Sequence, residues 1–502
     1  MMWSIAVESL RTAMLSFTAE TTLKTVPEMT FKMPVEMHPK IPCATIGAFA
    51  SDGFSRLNLD RRQSHLFCRT NPMRSLVILL LLPLIGCDAT IERFPPNEVY
   101  AMTVAHSRGV QAKLAQQHVS EVMTELFGTP EQPRWPVGLL SDPQAKELIQ
   151  SASLTSASGP IYSDREGKNF GLFNKHCVTC HSISGSGAGA AAVFQNPYPR
   201  DFRAGIFKWK STLRSSKPTQ DDLASLLHRG VPGTGMPSFA LIGEDDRSAL
   251  IQYAVYLSVR GETERKLLAL AVDDLGYDDE AGAPEQRLAA KWAADGKPES
   301  LVSDADIQPV VASVVQSWLD ASTQVVTVPE ESGNDVNSVA RGKNLFHGQI
   351  ANCVGCHGPS GNGGAVTLDF DDWAKEYSSR LGLTPTNRDD MKPFRDAGAL
   401  RPRQIKPRQL NQGVFHGPGD SAAIYRQISQ GIAGTPMPSL SITREPSPTG
   451  LTSDQVWDLV HYVQSLGSDS AAKPGLPAEP VAIDGTAEPE TTLDETDRDS
   501  LP

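Results

Sequence analysis

The sequence predicts an all-α protein: two copies of one helical module joined by a partly helical linker, with an N-terminal helix before them and a disordered acidic tail behind. Three observations predict it. A set of short landmarks occurs twice in the same order, which is the mark of an internal repeat. Apolar residues recur at three- and four-residue spacing through the longer segments between those landmarks. The stretch 468–502 holds nine acidic and two basic residues and almost no large apolar ones, too little to bury a core.

The landmarks align as follows. Gly167-Lys168-Asn169-Phe170 matches Gly342-Lys343-Asn344-Leu345, each expected to open the helix that leads into a cysteine motif. Pro199-Arg200 through Gly205 and Phe207 matches Pro407-Arg408 through Gly413 and Phe415. Gly230-Val-Pro-Gly-Thr-Gly-Met236-Pro-Ser238 matches Gly431-Ile-Ala-Gly-Thr-Pro-Met437-Pro-Ser439, and Leu250-Ile-Gln-Tyr253 matches Leu459-Val-His-Tyr462. The modules fall at 160–272 and 336–467, with a helical segment at 87–159 and a linker at 273–335. The second module carries extra sequence between its cysteine motif and Pro407, including Asp369-Phe-Asp-Asp-Trp373. Loops of that length are uncommon without a function or structure of their own; surface decoration is the plainer expectation.

Individual elements follow from periodicity and caps. Residues 97–127 read as one amphipathic helix stopped by Gly128-Thr-Pro130, and 245–271 as a long helix with Leu250, Tyr253, Ala254 and Leu257 on one stripe. The linker holds a helix near Val311–Leu319. Thr452-Ser-Asp-Gln455 is a capping box for a last helix ending at Gly467.

Composition excludes some functions. The chain has 502 residues and a formal charge of −12, which argues against a nucleic-acid-binding surface. Seven cysteines in this length are too few for a disulfide scaffold. Gly (40) and Pro (37) are plentiful, so long loops are expected.

At the N-terminus, Met73-Arg74 precedes an apolar run from Ser75 to Gly86, a signal-peptide pattern with a core of about ten residues, against the ~20 needed to span a bilayer. Leu84-Ile85-Gly86-Cys87 resembles the lipobox of bacterial lipoproteins, which implies that Cys87 is lipidated; an ordinary cleaved signal is the alternative. Asp88 resembles the inner-membrane retention signal of some bacteria. Because a signal works from the start of a chain, the expected natural start is Met73, with 1–72, including Cys43 and Cys68, a mis-called extension.

Cys177-Val-Thr-Cys180-His181 and Cys353-Val-Gly-Cys356-His357 carry the chemistry. Cys-x-x-Cys-His is the attachment signature of c-type haem: two thiols meet two vinyl groups of one porphyrin, and the adjacent histidine reaches the iron. Zinc also takes Cys and His but wants four such ligands, and neither module holds a second Cys pair. Each motif is followed by Gly-Thr-x-Met-Pro, 55 residues from His181 to Met236 and 80 from His357 to Met437. A thioether is a soft axial ligand that raises haem potential. Repetition in fixed Gly/Pro loops favours that role over core filling for both methionines.

On these motifs the sequence resembles class I cytochromes c in a two-module, lipid-anchored bacterial form. The resemblance implies two covalently attached haem c groups in two cytochrome c-like helical domains. One is held by Cys177, Cys180, His181 and Met236, the other by Cys353, Cys356, His357 and Met437. Arg200 and Arg408 are matched candidates for hydrogen bonds to haem propionates, with solvated surface arginines as the equal alternative. Trp209, Tyr253 and Tyr462 are expected to pack beside haem or helix. His176, His228, His416 and His461 have no histidine counterpart in the other copy and read as surface or supporting residues, as do His106 and His118.

The expected function is electron transfer between redox proteins of a membrane respiratory chain, on the periplasmic face, with the membrane reached through the lipid anchor and no nucleic-acid partner. Two alternatives remain open at this point: a subunit of a larger respiratory oxidoreductase, and a dihaem peroxidase, which would need one displaceable axial position.

Overall fold

A computed structural model describes residues 93–159, 171–277, 288, 305–363 and 369–471. The extension, the signal segment, Cys87, Gly167–Phe170 and the tail beyond Ala471 lie outside them. The described residues form helices and loops joined by isolated bridges, with no strand among them. None of their helices is long and apolar enough to cross a membrane.

The segment before the first module folds as α1 (Glu98–Arg108), α2 (Lys113–Phe127), α3 (Pro143–Glu147) and α4 (Ser151–Ala157). The single helix expected over 97–127 is therefore two. Gly109 takes a left-handed conformation (φ 69°) and caps α1 through its N–H to the carbonyl of Ala105, breaking the periodic run. The side chain of Asn97 caps the start of α1, and its own N–H donates to Glu264 at 2.7 Å.

The first module contains α5 (Leu172–His176), α6 (Val178–His181), α7 (Gln220–Arg229) and α8 (Glu244–Asp273). Helix α8 is long because it serves two partners. Its first half closes the module, where Tyr253 packs on Phe173 at 5.0 Å. Its second half buries Leu267, Leu268 and Ala271 in the core shared with α1, α2 and the linker helix α9 (Ile307–Leu319). From α9, Trp318 meets Phe207 edge-on at 5.6 Å, so the linker belongs to the core of the first module.

The second module contains α10 (Val336–His347), α11 (Val354–His357), α12 (Asp372–Glu376), α13 (Arg388–Asp396), α14 (Ser421–Gln430) and α15 (Ser453–Ala471). The capping box forms as expected: Thr452 N–H donates to Gln455 Oε1 and Gln455 N–H to Thr452 Oγ1. Helix α15 continues past Gly467 to Ala471. Gly342 does not open a helix but sits inside α10. A Cβ there would overlap the carbonyl oxygen of Asp458, so glycine is what lets α10 and α15 cross backbone to backbone. Phe346 and Tyr462 seal the crossing at 5.3 Å.

The extra sequence of the second module is more than decoration. Phe370, Ala374, Tyr377, Met391 and Phe394 make a small core of their own, packed against Val99 and Met102 of α1. Polar contacts to the first module surround it: Asp371 pairs with Lys208 at 3.2 Å, Glu376 pairs with Arg265, and Arg403 donates to the carbonyls of Val193 and Gln195. The insertion is a clasp between the modules.

Candidate haem sites

Each cysteine motif winds into one helical turn. The N–H groups of Cys180 and His181 both reach the carbonyl of Cys177, at 3.1 and 2.8 Å; those of Cys356 and His357 reach Cys353 at 3.2 and 2.8 Å. Residues three and four apart in a turn share a face, so two thiols and the imidazole emerge together. Burial pushes the Cys177 thiol up to about 12 and the Cys353 thiol up to about 11, keeping both protonated. Among the described residues no three His, Cys, Asp or Glu side chains converge to hold a metal ion.

The chain then turns back to fix the histidines. His181 Nδ1 lies 3.1 Å from the carbonyl oxygen of Arg200, and His357 Nδ1 lies 3.0 Å from that of Arg408. Two repeated glycines make this possible. Gly187 and Gly363 have φ near +70°, donate to the carbonyls of His181 and His357, and press on the next strand of chain. A Cβ at either would stand 2.5 Å from the Pro199 carbonyl or 2.8 Å from the Pro407 carbonyl. The sequence signal was available in Ser184-Gly185-x-Gly187 and Ser360-Gly361-x-Gly363, a fifth landmark that the four-landmark alignment passes over.

The methionine loops are also duplicates. In the first, Thr234 Oγ1 donates to the Val231 carbonyl, Met236 N–H donates to Thr234 Oγ1, and Val231 N–H closes on the Met236 carbonyl at 3.1 Å. In the second, Thr435, Ile432 and Met437 make the same three bonds, closing at 3.3 Å. Gly230 and Gly431 begin the loops with φ of 69° and 67°.

In the first module these parts face one cavity of about 220 Å³, walled mostly by apolar side chains and lined by Cys177, Cys180, His181 and Met236. Burial drives the His181 pKa down to about 4, so its ring is neutral. With Nδ1 donating to a carbonyl, Nε2 is the free lone pair. Burial also lowers the pKa of His357.

The two matched arginines differ in surroundings. The Arg200 guanidinium lines the cavity and lies 4.7 Å over the Trp373 ring of the insertion. Arg408 donates from Nε to the Val414 carbonyl and contacts His416 Nε2 at 2.9 Å. Of the histidines expected at the surface or in support, three take supporting places. His416, from the second module, lines the cavity of the first beside Trp209. His461 is buried, held by Ser338 Oγ at 2.6 Å and Glu331 at 3.0 Å. His118 is buried against the Tyr277 hydroxyl, while His106 is exposed.

The Cytochrome c family model matches residues 167–258 and 339–467, the two stretches that hold these constellations. Both regions belong to the cytochrome c family. The family implies covalently bound haem c and haem-based electron transfer, and the residues present suit that group: a paired thiol turn, a neutral histidine with Nε2 free, and a thioether loop on one apolar-walled cavity. No curated protein matches the chain significantly. Among solved structures, a chain of the reducing HAO-like protein complex of Kuenenia stuttgartiensis is similar at 22% identity and a TM-score of 0.36, covering 62% of this chain and 99% of that chain.

Proposed function

We propose that this cytochrome is a dihaem electron carrier, in which His181 and Met236 would hold one haem iron and His357 and Met437 the other. Cys177 and Cys180, and Cys353 and Cys356, would hold the two porphyrins. Haem supplies the one-electron Fe(III)/Fe(II) chemistry when bound. The chain's own part would be to present one histidine and one methionine to each haem. A carbonyl lock aims each histidine, three internal bonds fix each methionine loop, and mostly apolar walls surround the first site. Residues held this firmly would suit one-electron exchange without ligand rearrangement, which keeps reorganisation small.

The observation that carries this reading is the duplication of the loop bonds, Met236 to Thr234 and Met437 to Thr435, each at 3.2 Å. A peroxidase would need one displaceable ligand, and the two loops are built alike. Arg200 and Arg408 are proposed to serve the haem propionates; the fork of a guanidinium suits a carboxylate. The proposed setting is the periplasmic face of a bacterial membrane, anchored through Cys87, passing electrons between respiratory partners. Replacing Cys87 with Ser should release the protein from membranes.

Redox potentiometry with a peroxide challenge tests the reading. Two reversible one-electron steps, with both irons low-spin in each state and no peroxide turnover, are expected. Rapid turnover with one high-spin iron would assign an enzyme instead.

A further inference from the structure

Each methionine loop lies against the other module, and the second is hydrogen-bonded by it. Arg214, a first-module residue, donates from Nη1 to the carbonyl of Met437 at 2.7 Å and from Nη2 to that of Thr435 at 2.9 Å. In return, second-module residues border the first loop: His416 lines the cavity that Met236 faces, and a Cβ on Gly233 would stand 3.1 Å from Arg408 Nη2. Gly434, the repeat equivalent of Gly233, would carry its Cβ 3.6 Å from Arg200 Nη1 of the first module, so the contact is reciprocal in place but not in chemistry. Among the described residues, the second loop alone has the carbonyl of its methionine taken by a guanidinium. That carbonyl already accepts the closing bond of the loop from Ile432, which at 3.3 Å is longer than its 3.1 Å counterpart in the first module.

We infer that Arg214 is a positioning residue for Met437: the first module completes the sixth-ligand site of the second. The inference rests on the proposed ligation by Met437. A planar fork with two charge-assisted bonds holds the two carbonyls at a fixed separation, which a flexible single-point cation does not. The loop that presents the Met437 sulfur is thereby set from outside its own domain. The Arg214 cation is 2.7 Å from the Met437 carbonyl, and positive charge that near a haem held by Met437 would disfavour the ferric state.

The test uses the full-length, haem-loaded cytochrome in three variants: Arg214→Gln, Arg214→Lys and Met437→Ala. Haem content and melting are checked first. Met437→Ala should abolish about half of the ferric methionine–iron absorption band and make one ferrous haem bind carbon monoxide. Arg214→Gln should show the same changes to a lesser degree, confined to one haem, whose potential falls while the other is unmoved. Arg214→Lys, which keeps the charge but not the fork, should lie between Gln and wild type, and it carries the test if Arg214→Gln does not fold. An intact band in Met437→Ala would overturn the ligand assignment itself. A normal Met437→Ala result with both Arg214 variants matching wild type, or with both haems disturbed equally, would overturn the positioning role alone.

Discussion

His181 Nδ1 lies 3.1 Å from the carbonyl oxygen of Arg200, and the second module repeats the relationship between His357 and Arg408 at 3.0 Å. A backbone carbonyl can only accept, so each ring is held as the Nδ1–H tautomer with Nε2 as its lone pair. The lock is made by backbone, so the side chains at 200 and 408 are left for another task. A neighbouring cation stabilises ferrous haem relative to ferric. Arg200→Leu should therefore lower the potential of the first haem, and Arg408→Leu that of the second. Potentials unmoved in both variants would remove the arginines from the haem sites.

Met236→Ala should leave the first iron with one protein ligand. We expect about half of the methionine–iron band to disappear, one haem to bind carbon monoxide, and its potential to fall, because a thioether favours the ferrous state. Spectra of the variant with and without carbon monoxide check this. An unchanged band would place the sixth ligand elsewhere.

Gly342→Ala sets two effects against each other. Alanine in a helix gains about 1 kcal/mol over glycine. Here its methyl group would collide with the carbonyl of Asp458, backbone that cannot swing aside, and overpacking of this kind costs about 1–3 kcal/mol. The clash should win, and denaturant unfolding of the variant should show net destabilisation. A variant more stable than wild type would mean that α10 and α15 cross less closely.

Phe394→Ala tests the clasp. Phe394 is 4% exposed in the small core of the insertion, and emptying such a site costs about 3 kcal/mol or more. Loss of the clasp should raise the proteolytic sensitivity of the 369–404 segment before either haem is released. Unchanged sensitivity would return the insertion to the role of surface decoration.

His416 predicts an acid limit for the module interface. Burial first, then Arg408 and Lys208, lower its pKa from the ordinary 6.5 to about 4. A histidine depressed in the fold binds more protons when unfolded, so its contribution to stability is whole above 6.5 and is lost as pH falls toward 4. Melting temperature should drop across that window, and His416→Gln should flatten the drop. An equal drop in the variant would assign the acid sensitivity to carboxylates.

Much of this architecture was legible because the repeat states it twice. Cys-x-x-Cys-His and Gly-Thr-x-Met-Pro are local motifs whose geometry is set by their own turns, so both appear where the sequence puts them. Helix α8 and the capping box at Thr452 were legible for the same local reason. Gly109 was harder to read: it lies inside a periodic run, and its left-handed conformation shows only in the fold. The interface was not legible. Arg214 and Met437 are far apart in the chain, and a residue with a partner in only one module leaves no repeat signal. His416 was read as peripheral for that reason, yet it lines the cavity of the first module. The insertion likewise joins α1 through Val99 and Met102, contacts that periodicity within 369–404 cannot announce.

The most direct test of two closed haem sites is the absorption spectrum of the purified protein, oxidised and reduced, with haem stoichiometry and exposure to carbon monoxide. Two haems per chain, a ferric methionine–iron band of full strength and no carbon monoxide binding are the predicted result. One haem, or an iron that binds carbon monoxide in the unmodified protein, would contradict it.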